Sequence, residues 1–218
     1  MTKALESHPS VTVYTSRRLR LYDALILGLS CRLIWRCPRR QFVELYDRHV
    51  GSPHLDIGVG TGYFLDHCRF PSREPQITLL DLSEACLSKA ATRLERYSPR
   101  VVKANALEPF DLGAVRFSSV AVNGVLHCLP VAPEAKAAVF RNVKPFLADG
   151  GVVFGSTILG SGVEHGWLAR KALGIYNREG IFTNLADDLN GLQRTLANEF
   201  AEQQIDVRGS FALFSARP

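Results

Sequence analysis

The residues between His54 and Phe64, "HLDIGVGTGYF", concentrate more potential chemistry than any other stretch of the chain. Asp56, Gly58, Gly60 and Gly62 stand at every second position. Glycine this dense lets backbone N–H and C=O groups come close to a ligand, because no Cβ intervenes. Phosphate is the first ligand to consider. A Walker A loop ends in Gly-Lys-Ser/Thr, whereas Tyr63 follows Gly62. A dinucleotide fingerprint needs its third glycine where Tyr63 stands. Asp56 would repel a pyrophosphate and attract an ammonium or sulfonium, so the loop reads as an opening for a cationic ligand. The alternative is that Asp56 caps the turn and the glycines serve only close helix–strand packing.

Two further residues extend this reading. Asp81 lies nineteen residues after Gly62, at the end of an apolar run. A carboxylate there can accept both ribose hydroxyls of a nucleoside, although a lone acid at such a place also serves as a helix cap. His127, within "NGVLHCLP", is a candidate general base, since imidazole titrates near neutrality. The competing reading is a histidine packed and hydrogen-bonded at a strand-to-helix junction.

Strands must alternate with helices to bring these residues together. "HLDIG" predicts a short buried strand and a helix follows from Gly62 to about Arg69. "QITLLDL" is a second strand, and "SEACLSKAATRLERY" a helix with Ser83 as N-cap. "RVVKANAL" predicts a third strand and Phe117–Leu126 a fourth. The helix "PEAKAAVFRNVKPFL" then leads through "DGG" to a fifth strand, "VVFGSTIL". This alternation implies a parallel sheet covered on both faces. A helix around Leu185, Leu189, Leu192, Leu196 and Phe200 precedes "QIDVRG" and "SFALFSARP". Those two strands are too close for a parallel crossover and must form a hairpin. Before all this, Tyr22, Leu25, Ile26, Leu29 and Leu33 predict one apolar face of a helix from about Tyr14 to Arg36, ended by Pro38. A second helix follows over "QFVELYDRHV". Residues 1–50 are therefore expected to be a helical cap and residues 51–218 the catalytic or binding core.

"LDIGVGTG" and "LLDLS" resemble the first two motifs of the class I S-adenosylmethionine-dependent methyltransferases, over about Ser52 to Pro218. The resemblance implies an α/β fold, Rossmann-like, with a seven-stranded mostly parallel sheet of order 3-2-1-4-5-7-6 and an antiparallel last strand. It implies S-adenosylmethionine as cofactor and S-adenosylhomocysteine as product. Asp56, Gly58, Gly60 and Gly62 would lie along its methionine part, with the Asn123 backbone bordering the same moiety. Asp81 would hold the ribose, Leu82 the adenine face, and Asn105 and Ala106 the adenine edge. Many members carry Asp where this chain has Asn105; its carbonyl oxygen can still accept from the exocyclic amine. The acceptor would sit just past the fourth strand, near His127. Tyr14, Tyr22, His165 and Trp167 are expected around it. The stretch lacks the Asn/Asp-Pro-Pro-aromatic signature of base amino-methyltransferases and the paired acids of metal-dependent catechol enzymes. A small, partly apolar, aromatic or indole-like acceptor and metal-independent transfer are expected. An RNA or protein methyltransferase, and a non-catalytic cofactor-binding protein, are the alternatives.

Bulk properties set the outer limits. The 218 residues are 46% hydrophobic and 22% charged, with a formal charge of +5. That charge sits in residues 1–48, where nine Lys/Arg face four acids; the remainder is balanced. Such an arm can bind nucleic acid or anionic lipid. The simpler reading is a solvated helix face whose arginine stems cover apolar surface. Nucleic acid and membrane are therefore not expected as partners, whereas a homodimer is compatible with an amphipathic N-terminal helix. The five cysteines lack zinc-ligand spacing and read as free thiols in a cytoplasmic protein. "ALILGLSC" is far shorter than the roughly 20 apolar residues a membrane span takes.

Overall fold

The computed structural model describes residues 6–13 and 22–218. Its frame is a seven-stranded sheet: β1 (His54–Ile57), β2 (Ile77–Asp81), β3 (Arg100–Lys103), β4 (Phe117–Asn123), β5 (Leu147–Ile158), β6 (Glu202–Arg208) and β7 (Phe211–Arg217). The order is β3-β2-β1-β4-β5-β7-β6. β1 to β5 pair in parallel, and β7 runs antiparallel to both β5 and β6. The fold class expected from the sequence is the one observed.

Nine helices accompany the strands among the described residues. They are α1 (Pro9–Thr12), α2 (Asp23–Ser30), α3 (Cys31–Leu33), α4 (Arg39–His49), α5 (Tyr63–His67), α6 (Glu84–Arg93), α7 (Ala137–Val143), α8 (Trp167–Arg178) and α9 (Leu189–Glu199). The central strand β1 is buried along its whole length, as expected where helices cover both faces. Its alternation divides the core. Leu55 and Ile57 join Phe140, Val143, Leu192 and Leu196 on the layer of α7 and α9. His54 and Asp56 point to the other layer, where Tyr46 of α4 packs edge-on to Phe154 of β5.

The N-terminal helix departs from its expected form. Tyr14 and the proposed helix start lie outside the described residues. From Asp23 to Ser30 the chain is π-wound, and the N–H of Cys31 donates to the carbonyl of Ile26, five residues back. This wider winding turns Leu27, Ser30 and Cys31 inward and leaves Leu25, Leu29 and Leu33 more than half exposed. The apolar face expected to be buried is thus largely the outer one.

Other boundaries shift for local reasons. β3 ends at Lys103 rather than running to Leu107, so Asn105 and Ala106 lie in the loop at its C-terminal end. β4 stops at Asn123 because Gly124 adopts a left-handed φ of 72°. The long helix expected over Pro133–Leu147 is α7 flanked by 3₁₀ turns at Pro133–Lys136 and Lys144–Phe146; Pro145 lacks the N–H to continue it. Leu185 lies outside α9, which Asp188 caps by accepting from the N–H of Gly191 at 2.6 Å.

The two ends of the chain meet. The turn between β6 and β7 passes beneath the N-terminal helices, and Ser210 N–H donates to the carbonyl of Trp35 at 2.9 Å. Gly209 sits so close that a Cβ there would lie 2.2 Å from that carbonyl oxygen.

Candidate active site

A cavity of about 600 Å³ opens at the C-terminal ends of β1, β2, β4 and β5, the crevice where open α/β sheets bind ligands. Asp56, Gly58, Gly60, Asp81, Leu82, Asn105, Ala106, Asn123, Tyr22 and His127 all line it.

The three glycines divide between two tasks. Gly58 has a left-handed φ of 68°, and a Cβ there would lie 2.3 Å from Val125 Cγ2. Gly60, with φ 56°, has open space where a Cβ would stand. Gly62 does not reach the cavity. It rests on α6, and a Cβ would meet the Cβ of Ala90 at 3.1 Å and Leu94 at 3.4 Å. Its place along the cofactor is therefore corrected: Gly62 serves helix packing, one of the two readings the sequence left open.

Asp56 is buried at 3% exposure, and its Oδ2 accepts from the Tyr46 hydroxyl at 2.7 Å. His54 directs a second polar atom toward it. Gly51 N–H donates to Ser119 Oγ at 2.7 Å, and the same oxygen is hydrogen-bonded to His54 Nδ1, also 2.7 Å away. His54 Nε2 lies 3.7 Å from Asp56 Oδ2. Burial and the adjacent Asp56 charge hold the Tyr46 phenol well above its usual range, so it remains a donor.

Asp81 ends β2. Its Oδ1 accepts from Ser83 N–H at 2.8 Å and its Oδ2 from Gly60 N–H at 3.5 Å. Burial raises its carboxyl to about 6, against the opposing pull of the backbone N–H groups of Ser83, Gly60 and Leu82.

Asn105 is partly engaged within its own loop. Its Oδ1 already accepts from Leu107 N–H at 3.0 Å, while Nδ2 is buried with no hydrogen-bond partner. Asn105 thus brings an unpartnered donor to the cavity, beside an oxygen that keeps a second lone pair for an exocyclic amine. Asn123 is held by Ser156, whose hydroxyl donates to its Oδ1 at 2.5 Å.

His127 lies in a 3₁₀ turn after β4, with its ring edge-on to Phe182 at 4.6 Å. Ile158 N–H donates to Nδ1 at 3.2 Å, which places the proton of the neutral ring on Nε2. Burial, reinforced by the Lys136 charge, pushes its pKa down to about 3. These two facts correct the general-base expectation: the accessible chemistry of His127 is donation from Nε2–H.

The remaining candidates separate. His165 bonds Ser210 Oγ through Nδ1 at 3.0 Å and does not line the cavity. Trp167 is 66% exposed on the outer side of α8. Both are removed from the pocket, and Tyr14 lies outside the described residues. Trp35, Tyr176 and Phe182 pack together at one end of the cavity instead, with ring centroids 4.9–6.4 Å apart. The sequence carries these three on separate segments, with no periodicity that brings them together. It missed Tyr46, which the helical spacing of Phe42, Leu45 and Tyr46 could have placed on the inner face of α4.

One clasp joins the N-terminal helix to the glycine loop. Thr61 Oγ1 donates to Asp23 Oδ1 at 2.6 Å, and Arg93 reaches Asp23 Oδ2 at 2.5 Å and Thr61 Oγ1 at 3.1 Å.

Comparison with known proteins agrees with this geometry. A family described as "Methyltransferase domain" matches residues 55–153. Demethylluteothin O-methyltransferase of Streptomyces thioluteus is 36% identical over 93% of this chain and 88% of its own length. Physcion biosynthesis cluster O-methyltransferase of Aspergillus chevalieri is 34% identical over 99% and 98%. Among solved structures, NodS of Bradyrhizobium japonicum with S-adenosyl-l-homocysteine superposes at a TM-score of 0.60 with 16% identity, covering 94% and 98% of the two chains. The chain belongs to the class I S-adenosylmethionine-dependent methyltransferases. It is an enzyme, and S-adenosylmethionine is its cofactor.

Proposed function

We propose that the enzyme transfers a methyl group to a hydroxyl oxygen of a small, largely apolar, aromatic acceptor of secondary metabolism, without a metal. One observation carries the reading. A single cavity runs from the acid and amide at the ends of β2 and β3 to an aromatic chamber around Trp35, Tyr176, Phe182 and His127. The relatives named for O-methyl transfer support oxygen as the acceptor atom.

The polar set at the first end fits an adenosine. Asp81 offers carboxylate oxygens for ribose hydroxyls, Leu82 an apolar face, and Asn105 Nδ2 a donor to a ring nitrogen. Ala106 borders the same edge. Gly58 and Gly60 open the backbone for the methionine part, beside Asn123. Asp56 adds negative charge facing the positive sulfur. The bound cofactor supplies a methyl group on a sulfonium that departs as a neutral thioether.

What remains for the protein is positioning and exclusion of water. His127 Nε2–H orients the acceptor oxygen. His127 does not remove the acceptor's proton, because its pKa lies near 3. The lining thiols Cys31 and Cys86 stand at about 12 and are equally unsuited. In this reading the hydroxyl releases its proton to water before transfer, which favours phenols or enols acidic enough to ionise near neutrality.

Calorimetry with S-adenosylhomocysteine and a methylation assay over a panel of phenols, enols, indoles and amines test this. Wild-type binding that weakens at least about tenfold in Asp81→Ala is expected, together with turnover confined to acidic hydroxyls in the presence of a chelator. Turnover of amines or indoles alone would overturn the assignment to oxygen.

A further inference from the structure

Large hydrophobic side chains are rarely left in water as a group. Eight are exposed among the described residues, and five of them lie on the two helical segments that cover the cavity. Leu25, Leu29 and Leu33 are 52%, 54% and 55% exposed, and Trp167 and Leu168 at the start of α8 are 66% and 37% exposed. Steps of four residues keep the three leucines on one side through both the π-wound and the α-wound turns. The inner sides of the same helices, Leu27, Cys31, Ala169 and Leu173, share one buried cluster with Trp35. The start of α8 adjoins the end of α3: a Cβ on Gly166 would lie 3.0 Å from Arg36 Nη2.

The polar groups around these leucines are mainly of one sign. Arg32, Arg36, Arg39, Arg40, Arg170 and Lys171 are all exposed. Asp23 is engaged by Arg93, Glu44 by Arg40, and Glu164 is the exposed acid just before α8. Two copies meeting through this face would oppose arginine with arginine, which disfavours a symmetric dimer. A surface of anionic lipid supplies both complements: phosphates for the arginines and an apolar boundary layer for leucine and tryptophan.

We infer that the exposed face of α2–α3 and the start of α8 docks on an anionic phospholipid surface. Leu25 belongs both to this face and to the cavity lining. The docked enzyme therefore takes an apolar acceptor from the lipid boundary without passing it through water. This revises the sequence-based expectation of no membrane partner in favour of peripheral contact. It stands whichever atom receives the methyl group.

Co-sedimentation of the full chain with vesicles of phosphatidylcholine and phosphatidylglycerol, mixed at about 2:1, against phosphatidylcholine alone, tests the inference. Binding to the anionic vesicles is expected, weakened at least about tenfold by ~0.5 M salt. The double variant Leu29→Glu/Leu33→Glu should lose at least about tenfold in vesicle affinity, while binding S-adenosylhomocysteine as the wild type does, since neither leucine lines the cavity. The two tryptophans give an independent readout that needs no disruptive variant. Trp35 is 2% exposed, so a blue shift of emission on vesicle addition reports Trp167, and Trp167→Phe should abolish it. Equal binding to neutral vesicles, or unshifted emission with anionic ones, would overturn the inference. So would a wild-type dimer by light scattering that the double variant converts to monomer, which would assign the leucines to a second copy.

Discussion

At Asn105 one hydrogen bond decides what the site can read. Oδ1 already accepts from Leu107 N–H, whereas Nδ2 has no partner and is the group a ligand would satisfy first. A donor suits a ring nitrogen or a carbonyl better than an amine. The deaminated analogue S-inosylhomocysteine should therefore bind within about tenfold of S-adenosylhomocysteine. In Asn105→Asp that ratio should rise about another tenfold, because a free carboxylate oxygen favours the exocyclic amine. Titration calorimetry of both ligands measures it. His127 yields to the same kind of argument. Its donor role predicts that His127→Phe lowers kcat by about 10- to 100-fold. It also predicts that the acid limb of kcat at saturating cofactor follows the pKa of the acceptor and persists in the variant; a limb near pH 6.5 that stays fixed across acceptors and is lost in the variant would restore the base. The depressed pKa also has a sign for stability. The unfolded chain protonates His127 below about 6.5 and the folded one only near 3, so the stability it contributes is complete above 6.5 and lost on acidification through that window. Asp81 behaves oppositely, its contribution declining as pH rises from 3.8 to about 6. Cofactor affinity should accordingly fall below about pH 6, where the carboxylate that accepts ribose hydroxyls is lost. Of these details the sequence showed the residue types and their spacing. It could not show that Leu107 N–H engages the Asn105 oxygen or that Ile158 N–H engages His127 Nδ1, because both partners are backbone groups placed by the fold.

Among the elements, the clasp between α2 and the glycine loop joins the covering helix to the floor of the cavity. Asp23 accepts from Thr61 and Arg93 at once, and Arg93 arrives from α6, seventy residues away in sequence. Replacing Asp23 with Ala leaves a largely buried guanidinium without its main partner. A loss of about 1–3 kcal/mol in denaturant unfolding is expected. S-adenosylhomocysteine should also dissociate several-fold faster, readable by stopped flow, because the loop carrying Gly60 loses its tie. The parallel sheet and the terminal hairpin were legible in the sequence, from βα alternation and a turn too short for a parallel crossover, whereas the strand order came from the family resemblance. The covering helix was not. Periodicity at 3.6 residues assigned Leu25, Leu29 and Leu33 to the interior, and a π-wound turn reverses that assignment without changing a residue. Which of the three loop glycines serves packing, Gly62, was not legible either, although packing was one of the readings open to all three. Gly62's neighbours Ala90 and Leu94 lie a whole strand and helix away.

For the molecule as a whole, the meeting of the N-terminal helices with the β6–β7 turn sets when the reaction chamber can close. The turn at Gly209 and Ser210 holds the carbonyl of Trp35, and Trp35 is part of the aromatic chamber. A bulky substitution there, Gly209→Val, should loosen the covering helices while leaving the sheet. Near-normal far-ultraviolet dichroism, faster proteolysis before residue 40 and weaker acceptor binding are the expected signs. On the ribosome the consequence is one of timing. The glycine loop and Asp81 emerge early and can fold against their helices, yet the chamber stays unroofed until the turn at Gly209 and Ser210 has been made. A nascent chain that stops short of that turn can thus gather the parts of an adenosine site but cannot enclose a reaction, so methyl transfer waits for the β6–β7 hairpin.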